Sequence, residues 1–318
     1  MIKKGKKIVV LGAGNVGATI AYTLTMDGMA SEIVLIDINK EKAKGEAMDI
    51  IQGTAFCPPV SIYAGSYVDA KGADIVIVTL GMARKPGQSR IDLAQANVDI
   101  TKSVLPEIIK FAPDAIYVVV SNPVDILTYS IIKTSGLPEK QIIGSGTILD
   151  SARLRSSLAE HVNLNPKNIH AYVLGEHGDS SVVPWSLANI SGMEMNKYCT
   201  YACEKHNKCG KIELQDIEDD VRTAGAKVIG YKGATYYAIA LSVRRICDCI
   251  LRDTGSVLTV SGMVHGEYGI TDVCLSLLFL VDAHGIGRSI APPLTPEEEK
   301  QLVHSADTLK EIIKSLKI

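Results

Sequence analysis

Three residues near the middle of the chain have the types and spacing needed for proton transfer beside a bound acid. Asp150 and Arg153 are three positions apart, so a helix places their side chains on one face. His177 lies on a turn flanked by glycines. Histidine gains or loses a proton near neutral pH, and arginine offers a planar fork to a carboxylate. Each feature alone is more often a surface ion pair or a solvated histidine, but together they predict a site for a small acidic substrate.

A glycine-rich segment near the start predicts a site for a dinucleotide. Gly12, Gly14 and Gly17 form the pattern G-x-G-x-x-G between an apolar run and a helical pattern. Such glycines tighten the turn and bring backbone N–H groups to a pyrophosphate at the positive end of the helix. Asp37 ends the next apolar run, where its carboxylate can accept hydrogen bonds from both ribose hydroxyls of an adenosine. Because Asp37 would repel a 2′-phosphate, NAD is favoured over NADP.

The first half of the chain has the pattern of a scaffold for such a site. Four short runs are apolar throughout, as expected for parallel strands buried on both faces: 8–11, 33–36, 75–78 and 116–120. Amphipathic helical patterns separate them, for example 17–26, 41–52 and 93–110. This alternation predicts an α/β fold with a doubly wound parallel sheet, in which ligands bind at the carboxyl ends of the strands.

Beyond about residue 144 the pattern changes. We expect a helix over 149–160, a strand over 169–174, long helices over 212–229 and 235–251, further strands, and a last helix from Pro296. This order predicts a mixed α+β catalytic domain over 146–318. It would pack against a cofactor-binding domain over 1–145, with a cleft between them.

Composition excludes several classes of protein. The chain has 318 residues, of which 47% are hydrophobic and 21% charged, as in globular proteins. A net charge of −2 without a basic stripe argues against a nucleic-acid partner. No apolar run approaches the roughly 18 residues of a membrane span, so no membrane partner is expected. Seven cysteines, an odd number in a chain that needs no disulfides, predict reduced thiols and a cytoplasmic protein.

The chain resembles the L-lactate/malate dehydrogenases over nearly its whole length, and is most similar to the bacterial L-lactate dehydrogenases. The resemblance rests on Gly12 to Gly17, on Asp37, and on the segments 85–90, 121–125, 144–153 and 175–179, in family order and spacing. It implies a Rossmann-type cofactor domain. It also implies that His177 is the acid/base, that Asp150 bonds to its other ring nitrogen, and that Arg153 binds the substrate carboxylate.

The same resemblance implies further contacts. Around the cofactor it implies Gly12, Gly14, Val16, Gly17, Asp37, Lys42, Tyr67, Gly81, Met82, Ser103, Asn122 and Ser145. Around the substrate it implies Arg84, Arg90, Asn122, Asp125, Arg153 and Thr235, with Arg90 on a mobile loop where it stabilises charge on the carbonyl oxygen. A homo-oligomer is implied, and in a tetramer Arg155 and His170 would bind fructose 1,6-bisphosphate between subunits. The residues themselves leave open a dimer, and they leave open a surface arginine and a strand-end histidine without an effector.

One residue departs from the lactate pattern. Arg84 lies two positions before Pro86, where the lactate enzymes typically carry glutamine and the malate enzymes arginine. A buried guanidinium would pair with the second carboxylate of oxaloacetate and would be unpaired against the methyl group of pyruvate. Thr235 and the Arg155 and His170 pair match the lactate enzymes. We therefore interpret the chain as an L-lactate dehydrogenase, with malate dehydrogenase as the alternative, and expect oxaloacetate to be reduced at least as efficiently as pyruvate.

Other interpretations remain open. Four residues at near-helical spacing could hold zinc, although the resemblance implies no metal: Cys199, Cys203, His206 and Cys209. An NAD-dependent glycosidase would need a metal-linked site, so chelator-resistant activity would argue against it. A non-catalytic NAD-binding regulator is disfavoured by the complete set of catalytic residue types.

Overall fold

The computed structural model describes residues 5–82, 90–198 and 213–318, apart from the side chains of Arg90 and Asn196. The first half contains β1 (Lys7–Leu11), α1 (Asn15–Met26), β2 (Glu32–Ile36), α2 (Lys40–Gln52), β3 (Ser61–Ala64), β4 (Ile75–Val78), α3 (Arg90–Ile109), β5 (Ile116–Val119), α4 (Val124–Thr134) and β6 (Ile142–Gly144). Each predicted apolar run forms a strand with a buried core, which confirms the predicted alternation of strand and helix.

The second half contains α5 (Ile148–Val162), β7 (Ile169–His170), β8 (Asn189–Ile190), β9 (Met193–Glu194), α6 (Met195–Tyr198), α7 (Leu214–Lys232), α8 (Tyr237–Arg252), β10 (Ser256–His265), β11 (Thr271–Asp282), β12 (Gly285–Ile290) and α9 (Pro296–Lys314). The last helix begins as the sequence predicts, because Thr295 and Glu298 form a capping box and Pro296 occupies the first turn.

A single large sheet organises the described residues. Its order is β12-β11-β10-β6-β5-β4-β1-β2-β3, and the six strands from β6 to β3 run parallel. The chain starts at β1 and continues first on one side of it and then on the other, so the strand order reverses between β1 and β4. Ligands of doubly wound sheets bind outside the carboxyl ends of strands at this point.

Three antiparallel strands of the second half, β10, β11 and β12, extend this sheet, whereas β7, β8 and β9 form a small antiparallel sheet of their own. β10 pairs with β6 where Ser261 lies opposite Gly144. The absence of a side chain at Gly144 allows this approach, since a Cβ there would lie 2.4 Å from Thr128 Oγ1 and 2.8 Å from Ser261 Cβ. The sheet therefore runs continuously from the predicted cofactor half into the predicted catalytic half.

The segment after β7 differs from the expected strand over 169–174. Only Ile169–His170 pairs as a strand, and the chain then bends toward β11. Gly175 exchanges two backbone hydrogen bonds of 2.9 Å with Ser276 of β11 and adopts a φ of +86°. Pairing to β11 therefore places the turn that carries His177 beside the large sheet.

A second apolar core supports α5 from the outside. Leu154 and Leu158 of α5 pack with Val173 and with Val221 of α7. These contacts hold α5 against α7, and Asp150 and Arg153 of α5 are not part of this core. None of the helices within the described ranges is both long and apolar enough to cross a membrane.

Candidate active site

A cavity of about 340 Å³ lies where the carboxyl ends of the central strands meet α5, α7 and α8. Seven residues expected around cofactor or substrate line it: Val16, Asn122, Ser145, Asp150, Arg153, His177 and Thr235. They come from segments as far apart as the first helix and the start of α8. The fold therefore brings together residues that the sequence separates by more than 200 positions.

Asp150 is the centre of the polar group in this cavity. One carboxylate oxygen lies 2.6 Å from His177 Nδ1, and the other accepts a 2.8 Å hydrogen bond from Arg153 Nη1. The Asp150 side chain is 11% exposed, so both contacts are made largely out of solvent. The bond at Nδ1 sets the ring orientation, and Nε2 is the remaining nitrogen of a ring that lines the cavity.

The electrostatics of this group favour a protonated His177. Burial opposes the charged form of the imidazole, but the negative charge of Asp150 and its hydrogen bond outweigh burial and raise the pKa of His177. For Asp150, burial acts against the ionised form, while the charge and hydrogen bond of His177, followed by those of Arg153, lower its pKa overall. Both shifts favour the carboxylate form of Asp150 together with the imidazolium form of His177.

Arg153 presents its guanidinium to the same cavity. Its side chain is 18% exposed, and Asp150 engages only Nη1. Gly225 of α7 lines the cavity opposite, where an added Cβ would lie 3.6 Å from Arg153 Nη2. Space beside a planar, always charged fork suits the carboxylate of a small acid.

Asp125 is not placed where a substrate-binding residue would be. Its carboxylate is buried behind His177, where it accepts hydrogen bonds from the His177 backbone N–H and from Ser261 Oγ. Both oxygens face the protein interior, and Asp125 is not part of the cavity lining. The structure thus directs the Asp125 carboxylate away from the cavity, whereas the sequence analysis expected this side chain at the substrate.

The glycine-rich turn has the geometry that a dinucleotide requires. Gly12 adopts a φ of +100°, and a Cβ at Gly17 would lie 1.9 Å from the Gly12 carbonyl oxygen. The Asp37 carboxylate accepts hydrogen bonds from Ala13 N at 2.6 Å and from Asn39 N at 2.7 Å. Asp37 is thus held against the glycine turn, beside the uncapped start of α1. This arrangement fits a pyrophosphate on the turn and an adenosine ribose at Asp37.

The remaining cofactor residues are distributed more widely. Lys42 is exposed on α2, and Tyr67 is half-buried in a helical turn after β3. Ser103 is exposed on α3, and its hydroxyl donates to the carbonyl of Ile100. Lys42, Tyr67 and Ser103 do not line the cavity described above. Arg84 lies outside the described residues, as does the side chain of Arg90.

Asn97 was not found by the sequence analysis, although the structure places it at a central position. It is 2% exposed on α3, accepts a 2.9 Å hydrogen bond from Met82 N, and donates a 2.8 Å bond to the carbonyl of Asn122. A Cβ at Gly81 would lie 3.0 Å from Asn97 Oδ1, so glycine is needed there. Asn97 thus joins the loops that follow β4 and β5. Its burial in a helix resembles that of many core residues and gives no sequence signal of this role.

The expected effector and zinc residues are less informative. Arg155 donates from Nη2 to the carbonyl of Pro166 at 3.1 Å, and His170 is exposed at β7. In the described ranges, no group of three or more His, Cys, Asp or Glu side chains is arranged to hold a metal ion. The four candidate zinc ligands between 199 and 209 lie outside those ranges.

Comparison with known proteins identifies similar chains over the full length. The family profile described as "lactate/malate dehydrogenase, NAD binding domain" matches residues 6–144, and that described as "lactate/malate dehydrogenase, alpha/beta C-terminal domain" matches residues 147–317. L-lactate dehydrogenase 1 of Clostridium acetobutylicum is 50% identical over 99% of this chain and 100% of its own length. The L-lactate dehydrogenase of Acetivibrio thermocellus is 50% identical over 98% of both chains. A crystal structure of the minor L-lactate dehydrogenase from Enterococcus mundtii superimposes with a TM-score of 0.93 at 39% identity, covering 98% of this chain and 99% of that one.

Proposed function

Because the chain belongs to the lactate/malate dehydrogenase family, we propose that it reduces pyruvate to L-lactate with NADH and catalyses the reverse reaction. It is an NAD-dependent oxidoreductase. The observation that supports this proposal best is the contact of Asp150 with both His177 and Arg153 inside one cavity. A proton donor and an anchor for a carboxylate are thereby held at a fixed separation.

Each residue has a physical reason for its proposed role. Arg153 binds the substrate carboxylate through its planar fork and so directs the keto group toward His177. Bound NADH supplies the hydride that reduces the keto carbon. Negative charge then develops on the carbonyl oxygen, and His177 donates its Nε2 proton there. Asp150 stabilises the imidazolium until that transfer and keeps the ring in place.

The two substrates considered from the sequence are not equally supported. The curated relatives of similar length are named L-lactate dehydrogenases, so malate dehydrogenase is not favoured. Thr235 lines the cavity, while Arg84 lies outside the described residues. We accordingly propose pyruvate as the preferred substrate and do not retain the expectation that oxaloacetate is reduced at least as efficiently as pyruvate.

A homo-oligomer with an effector site is a second part of the proposal. We propose that subunits associate as a tetramer in the cytoplasm and that Arg155 and His170 bind fructose 1,6-bisphosphate between them. Two cationic side chains from each of two subunits suit a bisphosphate. Sedimentation gives the assembly, and pyruvate kinetics with and without millimolar effector give the coupling. An unchanged pyruvate KM in a verified tetramer would reject the effector site.

The test of the main proposal follows the absorbance of NADH with pyruvate and with oxaloacetate. We expect a higher kcat/KM for pyruvate than for oxaloacetate. His177→Asn should bind NADH normally and lose about 10²–10⁴-fold in turnover, the usual contribution of proton transfer. His284→Asn makes the same exchange at an exposed position between β11 and β12 and should leave turnover unchanged. A His177→Asn enzyme within a few-fold of wild type would contradict the assignment.

A further inference from the structure

Asp125 is a buried acid whose contacts differ from those of the residues that line the cavity. It lies in the first turn of α4 and is 2% exposed. Its Oδ2 accepts a 2.8 Å hydrogen bond from the His177 backbone N–H, and its Oδ1 accepts a 2.5 Å bond from Ser261 Oγ. Ser261 is fully buried on β10. One carboxylate therefore ties α4 and the large sheet to the turn that carries His177.

A neutral side chain would satisfy these hydrogen bonds equally well. The amide of an asparagine could accept from the backbone N–H of His177 through its oxygen and donate to Ser261 Oγ through its nitrogen. Burying a carboxylate costs more free energy than burying an amide. The presence of aspartate at this buried position therefore points to a use for the negative charge itself.

The charged and titratable groups around Asp125 show what that charge acts on. Burial raises the pKa of Asp125 to about 6, against the hydrogen bonds from Ser261 and from the His177 backbone, so it is ionised at neutral pH. Glu176 on the same turn repels this charge, and the thiol of Cys274 on β11 lies near it. Burial lowers the pKa of His177, while the charge and the hydrogen bond of Asp150 raise it. The negative charge of Asp125 raises this pKa further, and the positive charge of Arg153 lowers it.

We propose that Asp125 is a positioning residue for His177, which holds the turn through the backbone hydrogen bond and places a second negative charge behind the imidazole. The imidazolium is then stabilised from two sides, by Asp150 at its ring and by Asp125 behind its backbone. This inference rests on the proposed role of His177 as proton donor. It assigns Asp125 no contact with the substrate.

Asp125→Asn separates the charge from the hydrogen bonds. We expect the pH midpoint of kcat/KM for pyruvate reduction to fall by up to about one pH unit, because the imidazolium loses one of its two neighbouring charges. The midpoint for lactate oxidation should move in the same direction, since one histidine governs both. Well below the midpoint the variant should reduce pyruvate within about threefold of wild type, because the turn keeps its anchor. A purely structural role would lower the rate at every pH and leave the midpoint in place.

Two further variants keep the test decisive if Asp125→Asn does not fold. Ser261→Ala removes the hydroxyl donor to Asp125, which makes the carboxylate harder to ionise, so the midpoint should again fall, by a smaller amount. Asp125→Ala removes both anchor and charge, and should lose more than about tenfold in kcat/KM at every pH while still binding NADH. Asp248→Asn is the matched control, because this partly buried carboxylate on α8 pairs with Arg245 and Arg252 and its loss should leave the midpoint unchanged.

The outcomes separate this inference from the proposed function. If wild type reduces pyruvate and neither Asp125→Asn nor Ser261→Ala moves the midpoint, the charge of Asp125 has no role and the inference is overturned. If wild type does not reduce pyruvate, or if His177→Asn reduces it within a few-fold of the wild-type rate, the proposed function fails instead. A lowered midpoint in Asp125→Asn with a normal midpoint in Asp248→Asn supports the inference.

Discussion

Replacing Asn97 with leucine removes the amide that joins the loops after β4 and β5. The side chain is 2% exposed and makes one hydrogen bond to each loop, of 2.9 Å to Met82 N and 2.8 Å to the Asn122 carbonyl. A buried donor or acceptor that loses its partner costs about 1–3 kcal/mol. With two such groups partly rehydrated, we expect the free energy of unfolding to fall by about 2–4 kcal/mol. Because Asn122 lines the cavity, its displacement should also reduce kcat/KM for pyruvate by more than about tenfold, the equivalent of 1.4 kcal/mol.

Denaturant unfolding and steady-state kinetics measure these two effects separately. Asn97→Asp keeps an acceptor for Met82 N but turns a second oxygen toward the Asn122 carbonyl, so it should impair pyruvate turnover while retaining the Met82 contact. Asp99→Asn on the exposed side of the same helix is the control and should change neither quantity. Asn97→Leu with reduced stability but kcat/KM within twofold of wild type would refute the reasoning, because Asn97 would then stabilise the fold without positioning Asn122.

Three further predictions concern the cavity and the cofactor turn. Arg153→Lys should raise the KM for pyruvate about 10–150-fold, because a point charge replaces a planar fork and about 1.5–3 kcal/mol of charge-assisted bonding is lost. An unchanged KM would contradict the proposed role of Arg153 as the anchor of the substrate carboxylate. Asp150→Asn should lower the pH midpoint of pyruvate reduction by about 1–2 units, because the raised pKa of His177 depends on this carboxylate and the reductive activity is lost as pH rises through that midpoint. A midpoint equal to that of wild type would show that Asp150 only orients the ring. Asp37→Ser should lower the kcat/KM for NADH relative to that for NADPH by at least about tenfold, because the repulsion of a 2′-phosphate disappears. An unaltered ratio would show that the adenosine ribose does not lie at Asp37.

The identity of the first domain's elements follows from short-range sequence patterns. Continuous apolar runs such as 75–78 predict strands buried on both faces, and they are buried in the structure. The glycine pattern at 12–17 also has a local cause, because Gly12 takes a positive φ and Gly17 lies against the Gly12 carbonyl. Hydrophobic period and glycine spacing act over a few residues, so the sequence alone determines them.

The catalytic residue types could likewise be named from the sequence, since Asp150 and Arg153 share a helix face and His177 lies on a glycine-flanked turn. Their mutual geometry could not. The 2.6 Å contact between His177 and Asp150 exists because Gly175 pairs with Ser276 of β11 and draws the turn toward α5. That pairing joins segments about 100 residues apart, and no local pattern reports it.

The positions of Asp125 and Asn97 were decided only by the tertiary structure. Asp125 follows Asn122 in a motif that suggests substrate contact, yet the start of α4 directs its carboxylate away from the cavity toward His177 and Ser261. Asn97 has the spacing of an ordinary buried helix residue, and its role depends on two loops from other strands. The sequence alone determined the elements and the chemical types at the site, because these depend on neighbouring residues. Long-range packing decides which polar groups face the cavity and which of them support it from behind. Only the tertiary structure therefore determined these positions.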